Sequence, residues 1–208
     1  MNNVIIGLSC ALLLSTVPVF AASTVNGPTG LINSPTADVL RSGQFTIGYY
    51  HLGDGDVGSF TTNVVPNVEL GVTEFHYDGQ GNKNYINVKY ALKPETILKP
   101  GLAIGIEDIS NKDKQSIYAV TSKALPFAFR LHAGVGSGRF NGLFAGIEKT
   151  INPIRIRSNH NTFPPMTLIA EYDGKTMNYG ARMSIMTGLK LDAGIRNHNG
   201  YIGISFTN

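Results

Sequence analysis

Residues 127–136 read FAFRLHAGVG, and their side chains alternate between an apolar set and a set of glycine and polar groups. Successive side chains of a β-strand point to opposite sides. Phe129, Leu131 and Val135 therefore share one face, and Arg130 and His132 share the other. Strands of transmembrane barrels alternate in this way between lipid and lumen, and so do half-buried strands of soluble sandwiches. The stretch therefore predicts a strand. Only the rest of the chain can distinguish a transmembrane barrel from a soluble sandwich.

Five further runs repeat this pattern, at 101–108, 142–150, 166–173, 177–186 and 189–197. Taken together, the second faces of these runs carry glycine and charges of both signs. In a barrel this face is the lumen, whereas in a soluble sandwich it is an ordinary solvated surface. The candidate lumen-lining residues are Glu107, Arg130, His132, Glu148, Glu171, Arg182, Lys190, Asp192 and Arg196.

The whole segment from residue 44 to residue 208 divides into strand-like runs that end at Gly, Asn, Asp or Pro. Their predicted bounds are 44–51, 59–65, 68–77, 84–92, 101–108, 115–123, 127–136, 142–150, 166–173, 177–186, 189–197 and 200–206. We expect an all-β, antiparallel up-and-down transmembrane β-barrel of about 12 strands over 44–208. Residues 22–43 form an irregular N-terminal segment outside the ladder. Proline-bearing connections at 93–100 and 152–165 leave ten or fourteen strands open.

The links between runs predict the orientation of the barrel. All odd-to-even links are polar, and several even-to-odd links, such as 66–67 and 187–188, are very short. Outer-membrane barrels have short periplasmic turns and longer outer loops. We therefore place the N-terminus in the periplasm and the following links outside the cell: 52–56, 78–82, 110–114, 137–141, 174–176 and 198–199.

Residues 1–21 carry no Lys, Arg, Asp or Glu and end in Val19-Phe20-Ala21. This pattern predicts a secretory signal peptide with cleavage after Ala21, although its only positive charge is the α-amino group. An uncleaved anchor is the competing interpretation, but the apolar run is shorter than the roughly 20 residues of a spanning helix. Cys10 is the only cysteine, so the cleaved chain has no disulfide or thiol nucleophile.

Composition argues against a disordered chain and against a nucleic-acid-binding protein. Charged residues make up 15% of the 208 residues, against about 25% in an ordinary soluble domain. Ten Phe and nine Tyr argue against a disordered chain. The Lys and Arg residues are scattered singly, without the basic patch that nucleic-acid binding requires.

The sequence contains no complete catalytic or metal-binding motif. Asp54-Gly55-Asp56 lacks the further ligands of a calcium loop, and the five His residues are dispersed. An outer-membrane phospholipase would need a Ser–His pair on the lipid face, but His132 lies on the polar face with no serine in its run. We expect no enzyme, no cofactor and no metal.

Ordered sequence pieces resemble a known family. They are Gly30-Leu31-Ile32, Pro35-Thr36-Ala37, Gly43-Gln44-Phe45, Ala103-Ile104-Gly105-Ile106-Glu107-Asp108, Ser122-Lys123, Gly142-Leu143-Phe144-Ala145-Gly146-Ile147-Glu148 and Ala170-Glu171-Tyr172-Asp173. Together they resemble the barrel domain of the YjbH-type outer-membrane proteins associated with exopolysaccharide production, whose members are usually much longer.

The resemblance implies a non-enzymatic outer-membrane protein that takes part in exopolysaccharide production or secretion. Its expected surroundings are outer-membrane lipid, with polysaccharide or export-machinery proteins as candidate partners. A general small-solute pore or structural barrel is the alternative, and a soluble periplasmic binding module is a third. Two states of the lumen stay open. Pairing of opposite charges across the lumen would occlude it, whereas a continuous opening at Gly105, Gly146, Gly180 and Gly194 would give a hydrated path for a solute or a sugar chain. Because buried charges need partners, we favour a largely occluded lumen.

Overall fold

Twelve antiparallel strands form a closed barrel in the computed structural model, which describes residues 22–77, 79, 81–152 and 164–208. Each strand pairs with the next along the chain, and β1 pairs with β12. The strands are β1 (Phe45–Leu52), β2 (Gly55–Val65), β3 (Val68–Tyr77), β4 (Lys83–Lys93), β5 (Gly101–Glu107), β6 (Ser116–Leu125), β7 (Phe129–Gly136), β8 (Gly142–Ile151), β9 (Met166–Tyr172), β10 (Met177–Met186), β11 (Leu189–Arg196) and β12 (Asn199–Thr207). The predicted fold is confirmed, with twelve strands rather than ten or fourteen.

Two single 3-10 turns, Pro126–Ala128 and Gly138–Phe140, interrupt the connections. Within the described residues no helix is long and apolar enough to cross a membrane. The predicted signal peptide at 1–21 and the interior of the predicted 152–165 connection lie outside the described residues, as do Asp78 and Gln80 of the 78–82 link.

Every strand carries apolar side chains on the outer surface of the wall. Closure pairs the edge strands, so the backbone hydrogen bonds are satisfied within the barrel, as a lipid environment requires. The side chains on this exposed face include Ile47, Tyr49, Phe60, Val72, Ile86, Ile104, Ile117, Leu131, Leu168, Tyr179, Leu191 and Ile204.

Most predicted strand bounds differ from the observed ones by at most one residue, but β6 ends two residues later than predicted, at Leu125, and β2 and β7 begin elsewhere. β2 begins at Gly55, four residues before the predicted start, because Gly53 and Asp54 alone form the turn. The glycine-rich sequence there is typical of a loop, but Gly55 is paired with Tyr77. β7 begins at Phe129 and not at Phe127, because Phe127 and Ala128 have positive φ angles of 61° and 58°.

The core of the molecule lies inside the barrel. Residues 22–43, here called the lumen segment, fill the lumen from Ala22 to Leu40 and end in the exposed residues Arg41, Ser42 and Gly43. This segment contacts strands around the whole circumference, from Tyr50 in β1 to Arg182 in β10. Nearly all of its residues from Ala22 to Leu40 are buried. It adds no strand to the ladder and forms isolated bridges such as Gly30 to Pro35.

Two apolar clusters anchor the lumen segment. Val25, Leu31 and Ile32 pack in a cluster with wall residues that include Tyr50 and Ile169. Ala37 packs in a second cluster with aromatic rings of Tyr118, Phe140 and Phe144. Phe140 and Phe144 stack with their ring centroids 4.6 Å apart. Burial of these side chains favours the filled lumen by the hydrophobic effect.

Candidate functional site: the filled lumen

Glu171 in β9 holds the backbone of the lumen segment at its centre. The carboxylate accepts hydrogen bonds from the backbone N–H groups of Ile32, Asn33 and Ser34, at 3.2, 2.7 and 3.1 Å. The Asn178 side chain donates a further bond of 3.0 Å. Glu171 is only 1% exposed. Its carboxylate loses its hydrating water on burial, and these four donors take the place of that water.

Arg182 in β10 binds the carbonyl groups of the same segment. Its guanidinium donates to the backbone oxygens of Gly30, Leu31 and Ser23, at 3.1, 2.8 and 3.3 Å. It also forms an ion pair of 2.7 Å with Asp192 on the adjacent strand. Glu171 and Arg182 together therefore bind both the donors and the acceptors of an irregular backbone.

A second charged pair, Glu69 in β3 and Lys89 in β4, lies on the opposite part of the wall. Lys89 Nζ is 3.1 Å from Glu69 Oε2, and both side chains are at most 1% exposed. Glu69 accepts from Thr29 Oγ1 at 2.8 Å and from the Leu40 N–H at 2.6 Å. Lys89 donates to the Thr29 carbonyl at 2.8 Å. Both charges are thus satisfied mainly by each other and by the lumen segment.

Arg130 in β7 clamps the end of the lumen segment near β1. It binds both carboxylate oxygens of Asp38, at 2.6 and 2.8 Å, and Glu95 at 2.6 Å. Burial alone would raise the pKa of Asp38, but the adjoining guanidinium of Arg130 brings it below its ordinary value. Asp38 is therefore an ionised partner of the wall.

Asn33 fixes the lumen segment at the opposite mouth, beside the predicted outer loops. Its carbonyl accepts from Arg139 at 2.8 Å, its side-chain oxygen from Arg196 at 2.6 Å, and its amide donates to Asp173 at 2.7 Å. Burial alone would raise the pKa of Asp173, but hydrogen bonds from the Thr176 backbone and the Asn33 amide hold it below its usual range.

Seven of the nine candidate lumen residues are buried, and Glu148 and Arg196 are partly buried. The ion pairs of these residues join neighbouring strands, as Arg182 does with Asp192, or join the wall to the lumen segment and loops. Residues 22–43 lie between the facing walls, so these charges meet their partners on neighbouring strands, in loops and on the lumen segment. The buried residues are Glu107, Arg130, His132, Glu171, Arg182, Lys190 and Asp192.

Sequence reasoning missed Glu69, Lys89 and the whole lumen segment as parts of the site. Alternation contained the signal for the first two, because Glu69 and Thr73 oppose Leu70 and Val72 in β3, but Glu74 on the apolar face obscured it. No comparable signal exists for the segment. Glu171, for example, lies more than 130 residues along the chain from Ile32 and Asn33, which it binds.

A serine, a histidine and a carboxylate on three adjacent strands form a chain of polar contacts on the inner wall. Ser122 Oγ in β6 is 2.8 Å from His132 Nδ1, and His132 Nε2 is 3.3 Å from Glu148 Oε1. The serine that contacts His132 lies in the neighbouring strand, so the pattern within the run of His132 does not show it. The hydroxyl of Ser122 is fully buried and accepts a hydrogen bond from the Ala37 N–H at 2.8 Å. Absence of enzymatic activity stays a prediction.

In the part of the chain that the structure describes, no group of three or more His, Cys, Asp and Glu residues is arranged to hold a metal ion. What the arrangement does chemically is to hydrogen-bond an uncharged backbone along its length.

Comparison with known proteins gives a family and a fold. The family model described as "Exopolysaccharide biosynthesis protein YbjH" matches residues 23–162, a range that begins within the lumen segment. A solved structure, a KdgM porin, is similar with a TM-score of 0.51 and 11% identity, over 79% of this chain and 97% of that one. At this identity the likeness concerns the fold alone. No curated protein matched the sequence significantly.

Proposed function

Because the chain belongs to the YjbH family of exopolysaccharide biosynthesis proteins, we propose that it takes part in exopolysaccharide production or secretion at the outer membrane. The barrel is of the outer-membrane kind, with an apolar outer face and a polar lumen. Polysaccharide and export-machinery proteins are its proposed partners. The proposed role is non-enzymatic; in the filled lumen the Ser122 hydroxyl is buried and accepts a hydrogen bond from the Ala37 N–H.

The observation that carries this proposal beyond a generic barrel is the filled lumen. A general small-solute pore needs a hydrated path, whereas Leu31, Ile32 and Val25 are at most 2% exposed inside this barrel. A soluble periplasmic module is disfavoured by the outer face, because soluble monomers rarely expose large contiguous apolar areas.

Deletion of the gene tests the proposal. We expect a deletion strain to make or release less exopolysaccharide, and a plasmid copy to restore the wild-type amount. The matched measurement is envelope fractionation of the complemented strain, in which the protein should appear with outer-membrane markers. Unchanged exopolysaccharide in the deletion strain would refute the pathway role, and recovery in the soluble periplasmic fraction would refute the membrane location.

A further inference from the structure

The wall binds the lumen segment chiefly through backbone groups. Glu171 accepts three consecutive N–H groups, and Arg182 donates to three carbonyl oxygens. Other inward-facing side chains do the same. Thr61 donates to the Gly27 carbonyl, Thr73 and Asn87 to the Asn26 carbonyl, Asn63 to the Leu40 carbonyl, and Lys89 to the Thr29 carbonyl. The wall thus recognises an uncharged chain that presents alternating donors and acceptors.

The charges of the inner wall nearly balance. Among the described inward-facing residues of the strands, five acidic side chains accompany six basic ones. The acidic group is Glu69, Glu107, Glu148, Glu171 and Asp192, and the basic group is Lys83, Lys89, Arg130, Arg182, Lys190 and Arg196. Lys83 also forms an ion pair with Asp113 in the following loop, so the inner wall concentrates a polyanion only weakly by its overall field.

The lumen segment does not satisfy every polar group of the wall. Five buried wall atoms have no hydrogen-bond partner within the residues that the structure describes. They are Asn63 Oδ1, Tyr118 OH, Asp192 Oδ2, Tyr201 OH and Ser205 Oγ. A buried polar atom without a partner carries a free-energy cost, so an occupant richer in hydroxyl groups would find further partners here.

We propose that the inner wall is a binding surface for an uncharged, hydroxyl-rich polysaccharide chain, and that residues 22–43 occupy this surface until such a chain displaces them. Sugar hydroxyls donate to carboxylates and accept from Arg, Lys and Asn, as the backbone of the segment does. This inference rests on the proposed function and adds a ligand class and a moving part to it.

A disulfide between the lumen segment and the wall tests the displacement. The Cβ of Ala37 lies 3.3 Å from the position of a Cβ built at Gly101 in β5, close to the roughly 3.5 to 4.5 Å of disulfides. The only cysteine of the chain is Cys10, within the predicted signal peptide. We expect cells with the oxidised double variant Ala37→Cys/Gly101→Cys to release as little exopolysaccharide as the deletion strain, and a reductant to restore release.

The two single variants, Ala37→Cys and Gly101→Cys, are the controls, and the amount that they release should not change when the reductant is added. Heat-dependent gel mobility verifies that each barrel is folded. Normal release by the fully oxidised double variant would overturn the displacement, while leaving the pathway role intact if the deletion strain is defective. If the deletion strain is normal, the pathway role fails and the next measurement decides the inference alone.

Thiol labelling of the purified full-length Ala37→Cys variant tests the ligand class without reference to secretion. Ala37 is buried against the wall, so its cysteine should react slowly with maleimide. We expect neutral maltohexaose to increase the labelling rate severalfold, and anionic alginate oligomers of similar length to have little effect. No increase with maltohexaose would overturn the proposal, and an increase with alginate alone would assign the surface to a charged chain.

Discussion

Glu171 is the single residue on which the closed state of the lumen depends most. Glu171→Ala leaves three backbone N–H groups of the lumen segment buried without an acceptor. Because each unsatisfied group costs about 1 to 3 kcal/mol, we expect the free energy of unfolding to fall by about 3 kcal/mol or more. Urea unfolding in detergent micelles measures this loss.

Glu74→Ala is the matched control for this substitution. Glu74 is an exposed carboxylate that accepts a hydrogen bond from the exposed Asn82 side chain, so its removal should change the unfolding free energy by no more than about 0.5 kcal/mol. Equal losses for the two variants would contradict the role assigned to Glu171.

At the scale of the element, the β1–β2 hairpin depends on Gly55. Its φ angle is +147°, and an added Cβ would lie 2.1 Å from the His76 carbonyl oxygen in β3. We expect Gly55→Ala to destabilise the barrel by more than about 1 kcal/mol, because the site combines a clash with a strained backbone. Gly58→Ala in the same strand meets no atom within 4 Å and should retain wild-type thermal stability, as judged by heat-dependent gel mobility.

The strands could be predicted from the sequence because alternation of side chains is a local pattern. The filling of the barrel interior could not be predicted in this way. Alternation along each run predicted β3 and β10 to the residue, since a period of two requires only neighbouring positions. The turn at Gly53 and Asp54 was misjudged because glycine is common both in loops and in strands that approach another backbone closely. The lumen segment binds Glu171 and Arg182, and no local pattern encodes such distant partners.

At the scale of the whole molecule, the orientation of the barrel is open to direct measurement. Lys112 lies in a link predicted to be outside the cell, and Lys99 lies at the opposite end of the strands; both side chains are exposed. We expect Lys112→Cys to react with a membrane-impermeant maleimide on intact cells, and Lys99→Cys to react only after the outer membrane is permeabilised. The reverse labelling would invert the predicted orientation.

The central claim is that residues 22–43 close the barrel. Planar-bilayer recording of the unmodified full-length protein tests it most directly, because ions report any continuous hydrated path through the lumen. We predict that the inserted wild-type protein shows no large, stable ionic conductance, and that the oxidised Ala37→Cys/Gly101→Cys variant behaves in the same way. A large, steady conductance from the unmodified protein, unchanged when the disulfide holds the segment in place, would contradict the claim.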